Sequence, residues 1–318
     1  MTTVLIILSA AALTSVAVSV VMFCTAVLRR ETKVTPWMRD ECFTEAEPRL
    51  ERYGDVFSRG REWLREAGNG EGAKELTIES FDGLRLLGRM IENPACRGIV
   101  LMCHGYRSNP IRDFGAQART LYDEGFSLLM IDQRAHGGSE GKYISYGVNE
   151  RFDIRDWCRR LNSLYPGKPV ILYGESMGAA AVMMAAGLSD IPPCVRAVIA
   201  DCGFTSPGEI LRRVMWDKYH IPPFPVYHLF ALLTRLAAGF SLNGADTREA
   251  LRGCKIPLLL IHGRADRFVP FSMGEENRRA AKNSRFLPVE GAGHLCAFAA
   301  APEKYSAALR LLFQGAGI

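Results

Sequence analysis

Short runs of apolar residues alternate along this chain with longer stretches in which apolar residues recur every three or four positions. From residue 74 onward the short runs are continuous in Val, Ile and Leu, as in strands that are covered on both faces. This alternation predicts a mainly parallel, doubly wound α/β sheet. The predicted strands are Leu76–Glu79, Leu84–Ile91, Gly98–Cys103, Phe126–Ile131, Val170–Tyr173, Val195–Ala200, Pro257–Ile261 and Arg285–Val289.

Two segments depart from the regular alternation. Asp82-Gly83 separates the first two strands and predicts a tight hairpin, so the sheet is expected to begin antiparallel. Thr205–Asp246 contains four prolines and the apolar stretch Val226–Phe240, and it predicts a helical insertion, at about residues 205–245, that covers the strand ends as a lid. The helices predicted between strands are Arg112–Glu124, Glu150–Leu164, Met177–Leu188 and Met273–Lys282.

The N-terminal segment Val4–Leu28 contains no charged residue. As a helix its 25 residues are about 37 Å long, enough to cross a hydrocarbon core of ~30 Å. No basic residue precedes the run, and it exceeds the h-region of about 7–15 residues, which favours an uncleaved anchor at 1–30 over a signal peptide cleaved near Ala10–Ala12. The basic residues of positions 29–33 follow the run, so the positive-inside rule predicts a cytoplasmic location for the rest of the chain.

Residues 31–73 carry dense alternating charge, with apolar residues at roughly helical intervals. This pattern predicts a charged amphipathic helical linker between the anchor and a globular domain over residues 74–318.

Composition limits the possible partners. The 39 basic residues nearly balance the 34 acidic ones, which is too even for the electrostatic footprint of a nucleic-acid-binding protein. The nine cysteines are odd in number, scattered and without CxxC pairs, so free thiols in a reducing compartment are expected and no metal site is predicted. No organic cofactor is implied either.

The pentapeptide Gly174-Glu-Ser-Met-Gly178 follows a predicted buried strand and precedes three alanines. In a strand–turn–helix of this kind the serine adopts a strained backbone conformation, and the glycines stand where neighbouring chain passes too close for a Cβ. The hydroxyl of Ser176 is then exposed at a helix N-terminus, whose dipole favours developing negative charge. In this context the motif predicts a nucleophile.

Two later loops offer the partners that a serine nucleophile needs, a general base and a carboxylate that orients the base. Asp266 lies in the loop after the strand at Pro257–Ile261, and His294 lies in the loop after the last strand. The order serine, aspartate, histidine at successive strand ends is the one that strand–elbow hydrolases use. Asp201 also follows a strand and is the alternative acid.

An oxyanion hole is predicted from the loop after the third strand, which begins His104-Gly105-Tyr106. The backbone N–H of Tyr106 is expected to face that of Met177, next to the nucleophile. Each such donor contributes about 3–4 kcal/mol to transition-state stabilisation in known cases.

With these four elements in this order, residues 74–318 resemble the α/β-hydrolase superfamily. The stretch Asp132–Gly141 (DQRAHGGSEG) is similar to the Asp-x-Arg-x-His-Gly-x-Ser loop of the serine-aminopeptidase-like and membrane-anchored α/β-hydrolase-domain groups. The resemblance implies an eight-stranded α/β-hydrolase fold with a helical lid, preceded by one transmembrane helix. His104, Asp132, Arg134 and His136 are expected to brace loops by hydrogen bonds.

Those groups contain esterases, lipases, thioesterases and peptidases, so the fold alone does not name a substrate. The lid residues Phe224, Tyr227, Phe230 and Leu233 are predicted to line an apolar acyl or aryl pocket, which favours a serine hydrolase acting on small-molecule carboxylic esters. A peptidase or thioesterase using the same triad is the alternative. A non-catalytic scaffold of this fold is a third reading, although such proteins usually lack a triad residue and this chain has all three.

Overall fold

Eight strands form one sheet in the computed structural model, which describes residues 2–29 and 48–318. The strands are β1 (Ala73–Glu79), β2 (Arg85–Ile91), β3 (Gly98–Cys103), β4 (Phe126–Asp132), β5 (Val170–Glu175), β6 (Val195–Asp201), β7 (Leu258–Gly263) and β8 (Ser284–Val289). Their spatial order is β1-β2-β4-β3-β5-β6-β7-β8. Each strand corresponds to one of the eight predicted runs, so the predicted fold class is confirmed.

The sheet begins antiparallel and continues parallel. β1 and β2 form the predicted hairpin, in which Gly83 adopts a φ of 80°, and β2 pairs antiparallel with β4. From β4 to β8 every neighbouring pair is parallel. Cys103 therefore lies beside Gly174, and Gly174 lies beside Ala200. The loops that follow β3, β5, β6, β7 and β8 all open at this one edge, where doubly wound sheets bind ligands.

Twelve α-helices accompany the sheet within the described residues, and the first continues as a π-helical turn, Phe23–Val27. They are α1 (Thr2–Met22), α2 (Pro48–Asn69), α3 (Pro110–Phe114), α4 (Ala118–Asp123), α5 (Glu150–Leu164), α6 (Met177–Ala186), α7 (Pro207–Tyr219), α8 (Pro223–Ala238), α9 (Thr247–Arg252), α10 (Phe271–Ala280), α11 (Ala297–Ala300) and α12 (Pro302–Ala316). Helices α7 and α8 form the insertion predicted at about 205–245.

Alternate side chains of the parallel strands fill two separate cores. On β3, Val100 and Met102 contact the core that is completed by α3, α4 and α12. Ile99 and Leu101 point to the opposite face, where α5 and α6 pack. This period of two explains why the parallel strands are continuous apolar runs in the sequence.

Helix α2 packs on the sheet as part of the first core. Its Phe57 and Leu64 are fully buried. A Cβ on Gly60 would lie 1.7 Å from the carbonyl oxygen of Gly115, so the two chains touch backbone to backbone. Gly115 also separates α3 from α4, which the sequence predicted as the single helix Arg112–Glu124; two short helices form instead. The predicted linker 31–73 thus includes a helix packed on the domain, and residues 30–47 lie outside the described residues.

The eight cysteines among the described residues are all free thiols. Cys103, Cys158 and Cys202 are buried, and burial raises the pKa of each thiol. A buried thiol in an apolar environment stays protonated and packs as a small hydrophobe.

A buried ion pair connects the loop after β4 to α5. Arg134 donates from Nε and Nη2 to the two carboxylate oxygens of Asp153 at 2.6 Å, and from Nη1 to Asp82 at 2.9 Å. The side chains of Arg134 and Asp153 are almost wholly buried. This pair therefore ties the hairpin, the loop after β4 and α5 together.

Asp153→Ala should lower the free energy of unfolding by about 3 kcal/mol or more, because it leaves a buried guanidinium with only part of its counter-charge. Arg159→Ala, which breaks the exposed pair of Arg159 with Asp190, is the matched control and should cost less than about 1 kcal/mol. Urea unfolding of the full-length protein in detergent measures both values. Equal losses in the two variants would contradict the assignment.

Candidate active site

Ser176 occupies the turn between β5 and α6. Its backbone has φ 54° and ψ −113°, a region that non-glycine residues rarely adopt. Two hydrogen bonds hold it there, since its N–H donates to the Asp201 carbonyl at 2.9 Å and its own carbonyl accepts the N–H of Ala180 at 3.1 Å. The neighbouring strand and the first turn of α6 thus keep the serine at the tip of the turn.

The glycines on either side of Ser176 stand where no other residue fits. A Cβ on Gly174 would lie 2.2 Å from the carbonyl oxygen of Gly178, and a Cβ on Gly178 would lie 1.8 Å from that of Cys103. Both distances are far below van der Waals contact. The close approach of neighbouring chain that the pentapeptide predicts is present at both positions.

A continuous chain of hydrogen bonds runs from the serine to a buried carboxylate. The Ser176 Oγ lies 3.0 Å from His294 Nε2, and His294 Nδ1 lies 2.7 Å from Asp266 Oδ2. Ser176 is only 6% exposed, whereas the imidazole is partly open to solvent. The ring of Phe268 packs against the imidazole at an interplanar angle of 53°, with ring centroids 5.1 Å apart. The three predicted residues therefore meet with the geometry that a triad requires.

The Asp266 carboxylate is fixed by its own loop. Its Oδ1 accepts the backbone N–H groups of Phe268 and Val269, both at 2.9 Å, which leaves Oδ2 directed at His294. His262 bonds the Val269 carbonyl at 2.9 Å, and burial lowers its pKa, so it stays neutral beside the carboxylate. The loop therefore presents one oxygen to the imidazole in a single orientation.

The two residues predicted to supply oxyanion donors, Tyr106 and Met177, both lie close to Ser176. Met177 is the first residue of α6, so its N–H has no acceptor within the helix. The Gly105–Tyr106 loop comes close from the other side, since a Cβ on Gly105 would lie 3.4 Å from the Ser176 Cβ. Tyr106, Ser176 and Met177 all line the same cavity. This arrangement can place two N–H groups around a carbonyl oxygen at the serine.

The cavity above Ser176 has a volume of about 860 Å³, near the upper end of the ~300–1,000 Å³ usual for ligand pockets. Three parts of the chain surround it besides the serine turn: one face of α1, one face of α7 and loops that include those after β3, β4, β6 and β7. Its lining residues are Ala17, Val18, Val21, Met22, Thr25, Ala26, Tyr106, Arg107, Tyr146, Ser176, Met177, Phe204, Ile210, Leu211, Val214, Met215, Lys218, Tyr219, Ile221 and Phe268.

Comparison with known proteins settles the family. The model of the alpha/beta hydrolase family matches residues 100–308, about two thirds of the chain. The chain belongs to this family. The Bacillus subtilis AB hydrolase superfamily protein YisY is 36% identical over 229 residues, which are 61% of this chain and 84% of that protein.

Two further relatives are named for what they cleave. A monoacylglycerol lipase of Mycolicibacterium smegmatis is 25% identical over 202 residues, 55% of this chain and 72% of that protein. The structure of an esterase from Pyrococcus furiosus superposes with a TM-score of 0.61 at 24% identity, over 76% of this chain and 92% of the esterase. This structural likeness shows the α/β-hydrolase fold.

In this hydrolase, two neutral histidines brace the Tyr106 loop. His104 donates from Nδ1 to the Gly105 carbonyl at 2.8 Å and accepts the Gln133 N–H on Nε2 at 3.2 Å. His136 accepts the Arg107 N–H on Nε2 at 3.0 Å, and burial lowers its pKa well below the usual value. Asp132 in turn accepts the N–H of Gly138 at 2.8 Å. These contacts are the bracing that the family resemblance implied.

The four lid residues that the sequence assigned to the pocket lie elsewhere in the hydrolase. Phe224 is exposed, Leu233 is half-buried, and Tyr227 and Phe230 are buried within the lid, where the Tyr227 hydroxyl donates to Asn243 Oδ1 at 2.9 Å. None of the four is among the lining residues, because α8 packs against α1 while α7 turns its apolar face to the cavity.

Most of the lining residues that the sequence did not assign to the pocket belong to α1, its π-helical turn and α7. The α7 face was detectable, since Ile210, Leu211, Val214 and Met215 recur at helical spacing in an otherwise polar helix. The α1 face was not, because an apolar helix of uniform character gives no sign of which side packs on protein.

Donor atoms of Cys202, Asp266 and His294 lie within 4.8 Å of one another, the one such cluster among the described residues. It suits a metal poorly. The Cys202 thiol has a pKa raised by burial, and a metal on His294 or Asp266 would replace the hydrogen bonds that connect them to each other and to Ser176.

Asp201, the alternative acid, is hydrogen-bonded to a tyrosine of α12. Its Oδ2 accepts the Tyr305 hydroxyl at 3.1 Å, and that hydroxyl lies 2.6 Å from the Tyr173 hydroxyl. Burial raises the pKa of Asp201 to about 7, and the negative charge of Asp266 adds to the effect. The structure therefore places Asp266, and not Asp201, on the His294 ring.

Asp266→Asn should lower kcat about 10⁴-fold, because the amide cannot stabilise the imidazolium and favours the wrong tautomer. Asp201→Asn keeps a neutral acceptor for Tyr305 and should lower kcat less than about tenfold. Steady-state hydrolysis of p-nitrophenyl butyrate measures both. The reverse ranking would make Asp201 the orienting acid.

Asp201 should also make stability depend on pH. Its pKa is about 7 in the folded chain against an ordinary value of 3.8, so between these values the folded state holds a proton that the unfolded state has lost. This group's contribution to the free energy of unfolding therefore falls as pH rises from about 4 to about 7. Asp201→Asn removes this titration. In urea unfolding, the free energy of unfolding of the variant should therefore rise relative to that of the wild type between pH 5 and pH 8. A pH-independent difference would contradict it.

Proposed function

We propose that this protein is a serine esterase that cleaves carboxylic esters with apolar acyl or aryl groups through an acyl-enzyme. The observation that carries the proposal is the Ser176–His294–Asp266 chain of hydrogen bonds at the base of a largely apolar cavity. The names of two relatives, an esterase and a monoacylglycerol lipase, support ester hydrolysis.

Acylation begins when the Ser176 oxygen attacks the ester carbonyl while His294 Nε2 takes its proton. The N–H groups of Tyr106 and Met177 donate to the oxyanion of the tetrahedral intermediate. Asp266 accepts from Nδ1 and stabilises the imidazolium without taking its proton. When the intermediate collapses, the C–O bond of the leaving alcohol breaks, and His294 gives the alcohol its proton.

Deacylation repeats these steps with water as the nucleophile. His294 Nε2 takes a proton from water as its oxygen attacks the acyl carbon, and the same two N–H groups hold the second oxyanion. Collapse breaks the bond to the Ser176 oxygen, which regains its proton from His294. The products are the carboxylic acid and the free enzyme.

The charge of the cavity favours esters over aminopeptidase substrates. Its lining, as far as the structure describes it, contains the cations Arg107 and Lys218 and no acidic side chain. The free ammonium group of a peptide N-terminus would therefore meet like charge. An apolar acyl or aryl group gains about 25 cal/mol for each Å² that it buries against the apolar lining residues.

We also propose that α1 anchors the enzyme in a membrane with the catalytic domain in the cytoplasm. Within the helix and its π-helical turn, Thr2–Val27, an 18-residue window has a mean hydropathy of 2.5, and the segment is long and apolar enough to span a bilayer. The basic residues of positions 29–33 support a cytoplasmic location for the following chain.

Ser176→Ala should abolish ester hydrolysis while the protein remains folded, since the strained turn depends on backbone contacts that alanine keeps. The expected loss is at least ~10³-fold, with the residual rate coming from the oxyanion hole and binding. A fluorophosphonate probe should label the wild type and the control variant Ser306→Ala, whose serine lies on an exposed turn of α12, but not Ser176→Ala. Near wild-type activity in a folded Ser176→Ala would refute the proposed nucleophile.

A further inference from the structure

One face of α1 forms a side of the cavity that contains Ser176. The lining residues of this helix are separated by one, three, one, three and one positions, which is the spacing of a single helix face. They are Ala17, Val18, Val21, Met22, Thr25 and Ala26. The opposite side is built from α7, whose Ile210, Leu211, Val214 and Met215 have the same spacing. The cavity is thus a trough between the N-terminal helix and the lid.

The end of α1 is bonded into the catalytic domain. The carbonyl of Ala26 accepts the hydroxyls of Tyr106 at 3.0 Å and of Tyr146 at 2.8 Å, and these two rings stack with centroids 5.2 Å apart. Val27 is fully buried, and its carbonyl accepts the N–H of Ile144 at 2.8 Å. Since Tyr106 also supplies a predicted oxyanion donor, the helix end is fixed to the same loop as the reaction centre.

Two further contacts connect this N-terminal segment to the lid and to the Tyr106 loop. Ser19 is buried, and its hydroxyl donates to the Val226 carbonyl of α8 at 3.0 Å. Arg107, beside Tyr106, donates to the Leu28 carbonyl at 2.9 Å. From about residue 17 onward, α1 is therefore packed as an element of the hydrolase domain.

Helix length then decides where the cavity lies relative to a bilayer. Residues 2–16, which precede the cavity-lining face, are about 22 Å long at ~1.5 Å per residue. A bilayer hydrocarbon core is ~30 Å thick and needs about 20 residues of helix. If α1 spans the bilayer, residues 2–16 are too short to cross the hydrocarbon core by themselves. The first turns of α1 that line the cavity must then lie in the hydrocarbon as well, and the open side of the trough lies at the same depth.

The open side of the trough is apolar and accessible. Val21 and Tyr219, which line the cavity from its two sides, are 59% and 58% exposed. Large apolar side chains of the lid are exposed as well, namely Trp216 on α7 and Leu232 and Leu236 on α8. Tryptophan and tyrosine at such positions are typical of the membrane–water interface.

We propose that the cavity takes the acyl chain of a long-chain ester dissolved in the bilayer, which enters between α1 and α7, and that α1 is one side of this acyl site as well as the membrane span. The inference rests on the proposed esterase function, which it deepens by naming the substrate class and its source. A substrate that stays in the lipid avoids transfer of its apolar chain through water, which is unfavourable for every CH₂ group.

The test uses the full-length protein in phosphatidylcholine vesicles with two esters that share one leaving group, p-nitrophenyl acetate and p-nitrophenyl palmitate. Val21→Trp fills the trough from an exposed position, so the helix can accept it. The ratio of kcat/KM for palmitate to that for acetate should fall at least ~10-fold, since a misfitted apolar pocket discriminates by 10–200-fold or so. Val20→Trp is the matched control, because Val20 is exposed, adjacent and absent from the lining, and its ratio should stay within about twofold of wild type.

The outcomes separate the two proposals. If Val21→Trp and Val20→Trp give the same ratio while acetate is still hydrolysed, α1 is an anchor only and the inference fails, although the esterase proposal stands. If the wild type hydrolyses neither ester and no fluorophosphonate labels Ser176, the proposed function fails instead.

A structural measurement complements the kinetics. A fluorophosphonate with a C16 alkyl chain and a terminal diazirine should react with Ser176 and, on irradiation, attach to α1 within residues 17–26, as mapped by mass spectrometry. Attachment confined to residues outside both α1 and α7 would overturn the inference, because the chain would then lie away from the trough. Loss of attachment to α1 in Val21→Trp, with Ser176 still labelled, would support it independently of turnover.

Discussion

Ser176 is held at a φ of 54° between β5 and α6, and the rest of the site depends on the close contact that keeps it there. A non-glycine residue in such a conformation costs about 1–3 kcal/mol, which the surrounding structure must offset. Here the offset comes from backbone packing, because Gly174 and Gly178 allow β3, β5 and α6 to approach without side chains between them. The serine hydroxyl is thereby aimed at His294, and the Met177 N–H lies at the start of α6. The proposed nucleophile, its contact with the proposed base and one proposed oxyanion donor therefore all depend on this strained turn.

Two carboxylates lie near the imidazole, and their hydrogen bonds give them different orientations. Asp266 accepts two backbone N–H groups from its own loop on Oδ1, which leaves Oδ2 facing His294 Nδ1. Asp201 lies one strand away, accepts the Tyr305 hydroxyl and has its pKa raised by burial. Of the two carboxylates it is Asp266 that bonds the imidazole, which supports it as the proposed orienting acid.

The helix that is apolar enough to span a membrane also closes the cavity of the catalytic domain. If the helix served only as a membrane anchor, it would contribute no residues to the lining of this cavity. Here six residues of α1 and its π-helical turn line the same cavity as Ser176, and Tyr106, from the predicted oxyanion loop, donates its hydroxyl to the helix end. We therefore propose substrate selection and membrane attachment as functions of one element. The exposed lid residues Trp216, Leu232 and Leu236 extend the apolar surface of that element.

The sequence by itself determined the eight strands, the strained serine turn and the order of the loops that carry Asp266 and His294, because each depends on local signals. Continuous apolar runs mark strands that are buried on both faces, and glycines at fixed offsets mark the turn. Other features required the tertiary structure. The break between α3 and α4 at Gly115 follows from the approach of α2, which no local pattern announces. The cavity is lined by α7 and not by α8, and α1 packs beside Ser176, because of helix packing between segments almost 200 residues apart. The sequence alone does not reveal this packing, since an apolar helix face has the same pattern whether it contacts lipid, core or substrate.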